Sequence, residues 1–141
     1  MTLKNTDNEY RITVSNRQTI DSETDTIEET AYGNYTEKNG KQYITYKTEN
    51  DGDKISSMIK IDGNEILIKR TGSVNSSMTY KVDTKKEFLY HLPYGTVPME
   101  IETQRIVSKL DENGGTIELV YTLTVQDEKY FNDMKITVSK R

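Results

Sequence analysis

The stretch YITYKTENDGDKISSMIKIDGNEILIKR, residues 43–70, decides the fold, because two turn dipeptides separate three runs of alternating residues. Asp51-Gly52 and Asp62-Gly63 suit two-residue hairpin turns, in which the central residues take positive φ. These turns predict that Ile44 lies opposite Ile59 and that Ile59 lies opposite Ile66. The same register places the apolar residues of all three strands on one face of the sheet: Ile44, Tyr46, Ile55, Ile59, Ile61, Ile66 and Ile68.

Turn signals outside this stretch recur at intervals of roughly ten residues, a spacing typical of all-β sandwiches and barrels. Asn39-Gly40 predicts that Gly33 lies opposite Tyr46, where an aromatic ring would cover a bend in the sheet. Asn113-Gly114 predicts another two-residue turn, and a short loop over residues 126–129 joins the last two strands.

One long strand changes the face on which its apolar residues lie. The apolar parity runs through Val97, Met99 and Ile101 and then shifts to Ile106 and Leu110. A parity change inside one strand is what a β-bulge produces, so we predict a bulge near residues 103–105.

The strand count predicts an all-β fold of about ten antiparallel strands. An open sheet would leave two bare edges, whereas closure removes them. We therefore predict a single up-and-down antiparallel β-barrel over residues 1–141, ordered from about residue 10 to 139, with a two-sheet sandwich as the alternative.

Composition limits the function classes. Hydrophobic residues make up 33% of the chain, charged residues 30%, and the net charge is −4. Without a basic cluster we expect no nucleic-acid partner, and without cysteine we expect no thiolate metal site or cysteine nucleophile. No run has the length of a membrane span, and MTLKNTDNEY has no apolar core of a signal peptide, so we expect a cytoplasmic protein that neither binds nor crosses a membrane.

Four segments resemble the YwiB-like family of uncharacterised bacterial proteins, and the similarity runs from about Tyr10 to Val138. They are YGNYTEKNGKQYITYKTE (32–49), ILIKRTGSVNSSMTY (66–80), LPYGTVPMEIET (92–103) and IELVYTL (117–123). The resemblance implies a calycin or lipocalin-like β-barrel and a cytoplasmic location. It implies no activity and no cofactor. Ligand binding inside the barrel, common among calycins, follows from it only as an analogy of fold.

Arg70 is the first candidate site residue. The register predicted from Asp62-Gly63 places it on the inner face, opposite Ile55. An inward arginine requires a partner, because an isolated buried charge is too costly. It either holds a ligand carboxylate or phosphate, or closes the barrel end, bonded to backbone carbonyls or to a glutamate such as Glu29, Glu100 or Glu102.

Tyrosines with inward parity are the second set of candidates, because buried hydroxyls need partners. With Arg70 they form the predicted ligand-binding set: Tyr46, Tyr80, Tyr90, Tyr121 and Thr103. A packed core whose hydroxyls bond to one another or to buried water explains the same residues.

The single histidine gives no catalytic site. His91 precedes a predicted four-residue loop, Pro93–Thr96, and either points outward with Leu89 or lies at the edge of the loop. It has no nearby serine, cysteine or second histidine, so we assign no catalytic or metal-binding residue.

Three function classes remain open. A binding module would hold a small amphipathic molecule in the barrel. An interaction or structural module would use a packed barrel and an outer surface, including Tyr32 and Tyr43, to form a homodimer or meet a protein partner. An enzyme would need an acid–base or nucleophile–base pair that the sequence does not show.

Overall fold

The computed structural model describes residues 9–141, which form one antiparallel sheet of ten strands. Alternating β-branched and aromatic residues favour extended backbone here, because they pack well on a pleated surface. The described residues include no helix that is long and apolar enough to cross a membrane. The strands are β1 (Tyr10–Ile20), β2 (Glu23–Lys38), β3 (Lys41–Asn50), β4 (Asp53–Asp62), β5 (Glu65–Gly72), β6 (Ser76–Lys81), β7 (Lys85–Leu92), β8 (Gly95–Asp111), β9 (Gly114–Val125) and β10 (Glu128–Lys140).

The first and last strands pair with each other, from Tyr10–Lys140 to Thr19–Phe131. All the other strand pairs join neighbours in sequence, so the order is β6-β5-β4-β3-β2-β1-β10-β9-β8-β7. Pairing of β1 with β10 rolls the meander into a nearly closed barrel. The predicted up-and-down barrel of ten strands is confirmed.

The barrel is interrupted between β6 and β7, a boundary that we call the seam. In the described part of the chain no ladder joins these two strands. Two isolated bridges cross near its ends, Asn75 with His91 and Val82 with Thr103. The Asp83 amide also donates to the Thr103 carbonyl at 3.0 Å. Both edge strands are short, which limits their ability to pair with other chains.

A second, partial interruption lies between β2 and β3. Their ladder ends at Gly33–Tyr46, and within residues 9–141 the part of β2 before Gly33 pairs only with β1. A Cβ on Gly33 would lie 2.0 Å from the Thr45 carbonyl oxygen and 2.8 Å from Ile12 Cδ1, so only glycine fits. Beyond this point β2 separates from β3 while β1 stays paired with β10, and Ile27 is 66% exposed.

Isoleucines from most of the strands fill the interior. The most deeply buried are Ile12, Ile44, Ile59, Ile66, Ile101, Ile117 and Ile136, all at most 1% exposed. Complete burial of one such side chain is worth about 2 kcal/mol, so this layer dominates the stability of the barrel.

Two of the predicted turns set the register correctly. Gly33 lies opposite Tyr46, and Ile44 lies opposite Ile59. In both turns the central residues have positive φ, with Asn39 at 54° and Gly40 at 79°.

The turn between β4 and β5 lies one residue later than predicted, which shifts the register of the two strands by two residues. Asp62 pairs with Glu65, so the central residues are Gly63 and Asn64 and Ile59 lies opposite Ile68 rather than Ile66. Gly63, at φ 62°, is the first central residue, as a type II′ turn requires. A shift of two residues leaves every side chain on its predicted face.

Three other connections are also shorter or shifted. The turn predicted at Asn113-Gly114 consists of Glu112 and Asn113, because Asp111 pairs with Gly114 and its carboxylate accepts from the Asn113 amide at 2.8 Å. The loop over residues 126–129 is a two-residue turn, since Val125 pairs with Glu128. The predicted four-residue loop at 93–96 is likewise a two-residue turn between Leu92 and Gly95.

The predicted bulge is confirmed. The β8–β9 register shifts between Thr103 and Arg105, with Thr103 opposite Tyr121 and Arg105 opposite Val120. The extra residue, Gln104, lets Ile101 and Ile106 lie on the same side of the sheet despite their odd separation.

Candidate ligand-binding site

Arg70 lies on the inner face of β5, two residues beyond Ile68. It pairs with Ser57 on β4 and with Ser76 on β6, and both serines are buried. The predicted position opposite Ile55 is wrong, because Ile55 pairs with Gly72. The shift replaces an apolar neighbour of Arg70 with two hydroxyl groups.

Tyr46 connects Arg70 to a carboxylate. Arg70 lies close enough to the Tyr46 hydroxyl for the two groups to interact electrostatically. That hydroxyl donates in turn to Glu29 Oε1 at 3.1 Å. Of the three predicted carboxylate partners, only Glu29 has the inward parity, since Glu100 and Glu102 alternate with the buried Ile101. The three side chains form a relay from β5 through β3 to β2, next to the point where the β2–β3 ladder ends.

The electrostatics of the relay follow from burial. Burial raises the pKa of the Tyr46 hydroxyl, the Glu29 carboxylate raises it further, and Arg70 and Ser57 oppose both. Burial alone would lower the pKa of Arg70, but Tyr46 and Glu29 outweigh it and leave that pKa above its ordinary value. The relay therefore favours a neutral tyrosine between a cation and a carboxylate.

Tyr80 and Tyr121 form an aromatic pair beside the relay. Their ring centroids are 4.8 Å apart at an interplanar angle of 64°, an edge-to-face contact. Burial raises the pKa of both hydroxyls, and for Tyr121 the interactions with Tyr80 and Arg70 oppose the rise. Arg70, Tyr46, Tyr80 and Tyr121 thus belong to one electrostatic group inside the barrel.

Thr103 and Tyr90 relate differently to this group. Thr103 lies opposite Tyr121, is 1% exposed, and its Oγ1 has no hydrogen-bond partner among the described protein atoms. Tyr90, on β7, is half-buried opposite Val97, across the seam from β6. The structure brings together four of the six predicted ligand-binding residues, places Thr103 opposite Tyr121, and places Tyr90 on the other side of the seam.

A cavity of about 440 Å³ opens at the seam and reaches Arg70. Other lining residues are Lys69, Ser76, Phe88, Leu89 and His91. His91 points outward as predicted, and its position on the edge strand makes it part of this cavity. Phe88 and Lys69 were not predicted as site residues, because no local sequence pattern reveals which two strands stay unpaired and form the seam.

A second depression lies on the outer face of β2 to β5, where the β1–β2 hairpin leaves β3. It measures about 620 Å³ and is lined by Tyr32, Asn34, Lys47, Met58 and Lys69, among others. It shares Lys69 and Thr71 with the seam cavity, but Arg70 does not line it. Tyr46 and Ser57 also line this depression, which therefore reaches the inner face where the β2–β3 ladder ends, whereas Arg70 and Ser76 line the seam cavity.

Within residues 9–141, no three histidine, aspartate or glutamate side chains converge to hold a metal ion. The cavity chemistry is that of hydrogen-bond donors and an aromatic ring.

The sequence and the barrel fold both match known proteins. The model of the domain of unknown function DUF1934 matches residues 12–138. The chain belongs to this family. The uncharacterized beta-barrel protein YwiB of Bacillus subtilis (strain 168) is 30% identical over 118 residues, 83% of each chain. The crystal structure of the ywiB protein from Bacillus subtilis superposes with a TM-score of 0.87 at 26% identity, covering 94% of this chain and 91% of that chain. The chain is thus a small β-barrel protein of a family whose function is unknown, as the resemblance implied.

Proposed function

We propose that the protein is a binding module that takes a small amphipathic molecule at the seam, with Arg70 as its main polar contact. The observation that carries this proposal is that one cavity of about 440 Å³ is lined both by Arg70 and by the ring of Phe88. Ligand pockets of this size combine apolar walls with a few convergent polar groups.

The polar part of the ligand would meet the relay side of the cavity. Arg70 and Ser76 present donors there, and Tyr46, Tyr80 and Tyr121 lie behind Arg70. The apolar part would contact Phe88 and Leu89, which is 55% exposed. Burial of Leu89 by a ligand would remove apolar surface from water and contribute to affinity.

A protein-interaction module is the second candidate. Leu89, Tyr32 and Phe131 are large apolar residues with about half of their surface exposed (47–55%). A partner protein or a second copy of the chain would cover such residues. A cytoplasmic location belongs to both proposals, and cell fractionation with an antibody against the chain would test it.

Native mass spectrometry of protein purified gently from its own cells tests the first candidate. We expect a small-molecule adduct that is lost in Arg70→Ala and retained in Lys60→Ala, a control on the outer face of β4. Adduct-free mass in the wild type would contradict the binding module. A defined dimer or a co-purifying protein would then support the second candidate.

A further inference from the structure

The seam cavity is basic in a chain that is acidic overall. Three basic side chains line it, Lys69, Arg70 and His91, while the net charge of the chain is −4. Among the described residues that line it, none is aspartate or glutamate. The remaining polar lining residues are serine, threonine and asparagine, all of which can donate hydrogen bonds. A ligand in this cavity meets positive charge and donors with no competing carboxylate in the wall.

Arg70 is shared between the cavity and the interior. Its side chain lines the cavity and also interacts electrostatically with Tyr46, whose hydroxyl donates to Glu29 Oε1 at 3.1 Å. Glu29 interacts with Arg70 through this relay and is absent from the cavity lining. Arg70 therefore has one anionic neighbour, and it lies on the interior side.

We propose that the ligand is an amphipathic organic anion whose carboxylate or phosphate binds the Arg70 guanidinium in competition with the Tyr46–Glu29 relay. This inference rests on the proposed function and specifies its ligand class. A guanidinium forms paired, charge-assisted hydrogen bonds with either anion, and these are stronger than bonds to a neutral hydroxyl. The apolar body of the ligand lies against Phe88 and Leu89.

Competition predicts that weakening the internal partner strengthens ligand binding. Glu29→Gln removes the negative charge and keeps an oxygen that accepts from Tyr46. Arg70 is then freer to bind an external anion, because a ligand no longer has to outcompete a carboxylate. We expect anion affinity to rise by about fivefold, within the usual range of charge-assisted interactions.

Two fluorescent probes of similar apolar shape test the charge class. Anilinonaphthalene sulfonate is an amphipathic anion, and N-phenylnaphthylamine is its neutral counterpart. We expect the wild type to bind the sulfonate more tightly, Arg70→Gln to lose at least tenfold of that affinity, and Arg70→Lys to retain part of it. The neutral probe should bind all three similarly. Circular dichroism confirms the fold of each variant, and Lys60→Gln is the surface control.

The outcomes separate the two proposals. Binding of neither probe would contradict the proposed function itself. Equal binding of both probes, unchanged in Arg70→Gln and Arg70→Lys, would preserve a binding module and overturn the anionic ligand class. Unchanged or weaker sulfonate binding in Glu29→Gln would overturn the competition.

Displacement of the sulfonate probe identifies the anion. Laurate and dodecyl phosphate present the same chain with different head groups, and dodecanol presents the chain without charge. We expect at least one of the two anions to displace the probe at a much lower concentration than dodecanol does. The ratio of the displacing concentrations of laurate and dodecyl phosphate distinguishes a carboxylate ligand from a phosphate ligand. Displacement by dodecanol at equal concentration would contradict the inference.

Discussion

The isoleucine layer and the Arg70 relay occupy the same barrel interior but are stabilised by different interactions. Ile44, Ile59 and Ile66 are at most 1% exposed, and their contribution follows from the apolar area removed from water. The relay places a cation, a hydroxyl and a carboxylate on neighbouring strands, where each group depends on its partner. Loss of one isoleucine removes contacts, whereas loss of one relay member leaves the others unpaired.

The difference indicates which part of the barrel interior is suited to binding a ligand. The isoleucines lie on strands paired within the sheet, but the relay lies beside the end of the β2–β3 ladder and reaches the seam. A region held by polar side chains can exchange an internal partner for an external one. The isoleucine side chains cannot exchange partners in this way, because they form no polar contacts.

The largest effect is expected in the isoleucine layer. Ile66→Ala should cost about 3–4 kcal/mol of unfolding free energy, because the variant loses buried apolar surface and leaves a cavity. Urea unfolding measures this cost. Leu67→Ala, one residue away on the outer face, is the matched control and should cost less than about 1 kcal/mol. Similar losses in both variants would contradict the assignment of inner and outer faces.

The relay should respond to a single substitution with an intermediate effect. Arg70→Ala should cost about 2 kcal/mol, because Glu29 and Tyr46 remain without their cationic partner and the site is only partly buried. The same urea experiment measures it. No loss of stability would show that the relay is not structural and that Arg70 serves the cavity alone.

Removal of both charges together sharpens this comparison. In Arg70→Met with Glu29→Gln, neither ion remains unpaired, and apolar replacements of ion pairs are often neutral or stabilising. We expect the double variant to recover most of the stability lost in Arg70→Ala. Additive losses from the two positions would show that they do not interact.

Alkaline pH should lower the free energy of unfolding, because the barrel contains tyrosines that burial keeps neutral. Burial raises the pKa of Tyr35 to about 12, and it also raises the pKa of Tyr46, Tyr80 and Tyr121 above 10. Between pH 10 and 12 the unfolded chain loses these protons first, so the native state binds more protons and stability falls as pH rises. Well below pH 10 these tyrosines are protonated in both the native and the unfolded state. Their contribution to the free energy of unfolding should therefore not change with pH there.

Tyrosinate absorbance and urea unfolding along this pH series measure the effect. Tyr80→Phe removes one of the groups and should flatten the decline. An equal decline in the wild type and Tyr80→Phe would show that Tyr80 ionises without unfolding the barrel.

Sequence patterns predicted the faces of the strands better than their register. Alternation fixes only whether a residue points inward, so Arg70 and Tyr46 were placed correctly on the inner face while the β4–β5 register was wrong by two residues. Register depends on the turn, and a glycine occupies different turn positions. Gly40 is the second central residue of its turn and Gly63 the first, yet both follow an acidic or amide residue in the sequence.

The site was predicted in part for the same reason. Glu29 was one of three candidate partners, and inward parity selects it. The position of the seam depends on the pairing of β1 with β10, which are almost a whole chain apart in sequence. The roles of Phe88 and Lys69 depend on it as well. Long-range closure of this kind leaves no local signal in either edge strand.

The smallest expected effect concerns Thr103 and Thr122, two buried threonines on neighbouring strands with different partners. Thr103 Oγ1 has no partner among the described protein atoms, whereas Thr122 Oγ1 accepts from Gln104 Nε2 at 3.2 Å. Thr103→Val removes a buried hydroxyl at nearly constant volume and should raise the unfolding free energy by about 1 kcal/mol. Thr122→Val leaves Gln104 unpaired and should lower it by about 1 kcal/mol. Opposite signs in urea unfolding would show that the polar interior carries an unpaired hydroxyl at a cost in stability. Losses in both variants would show that the Thr103 hydroxyl is already hydrogen-bonded and that its removal costs stability, as removal of an isoleucine side chain does.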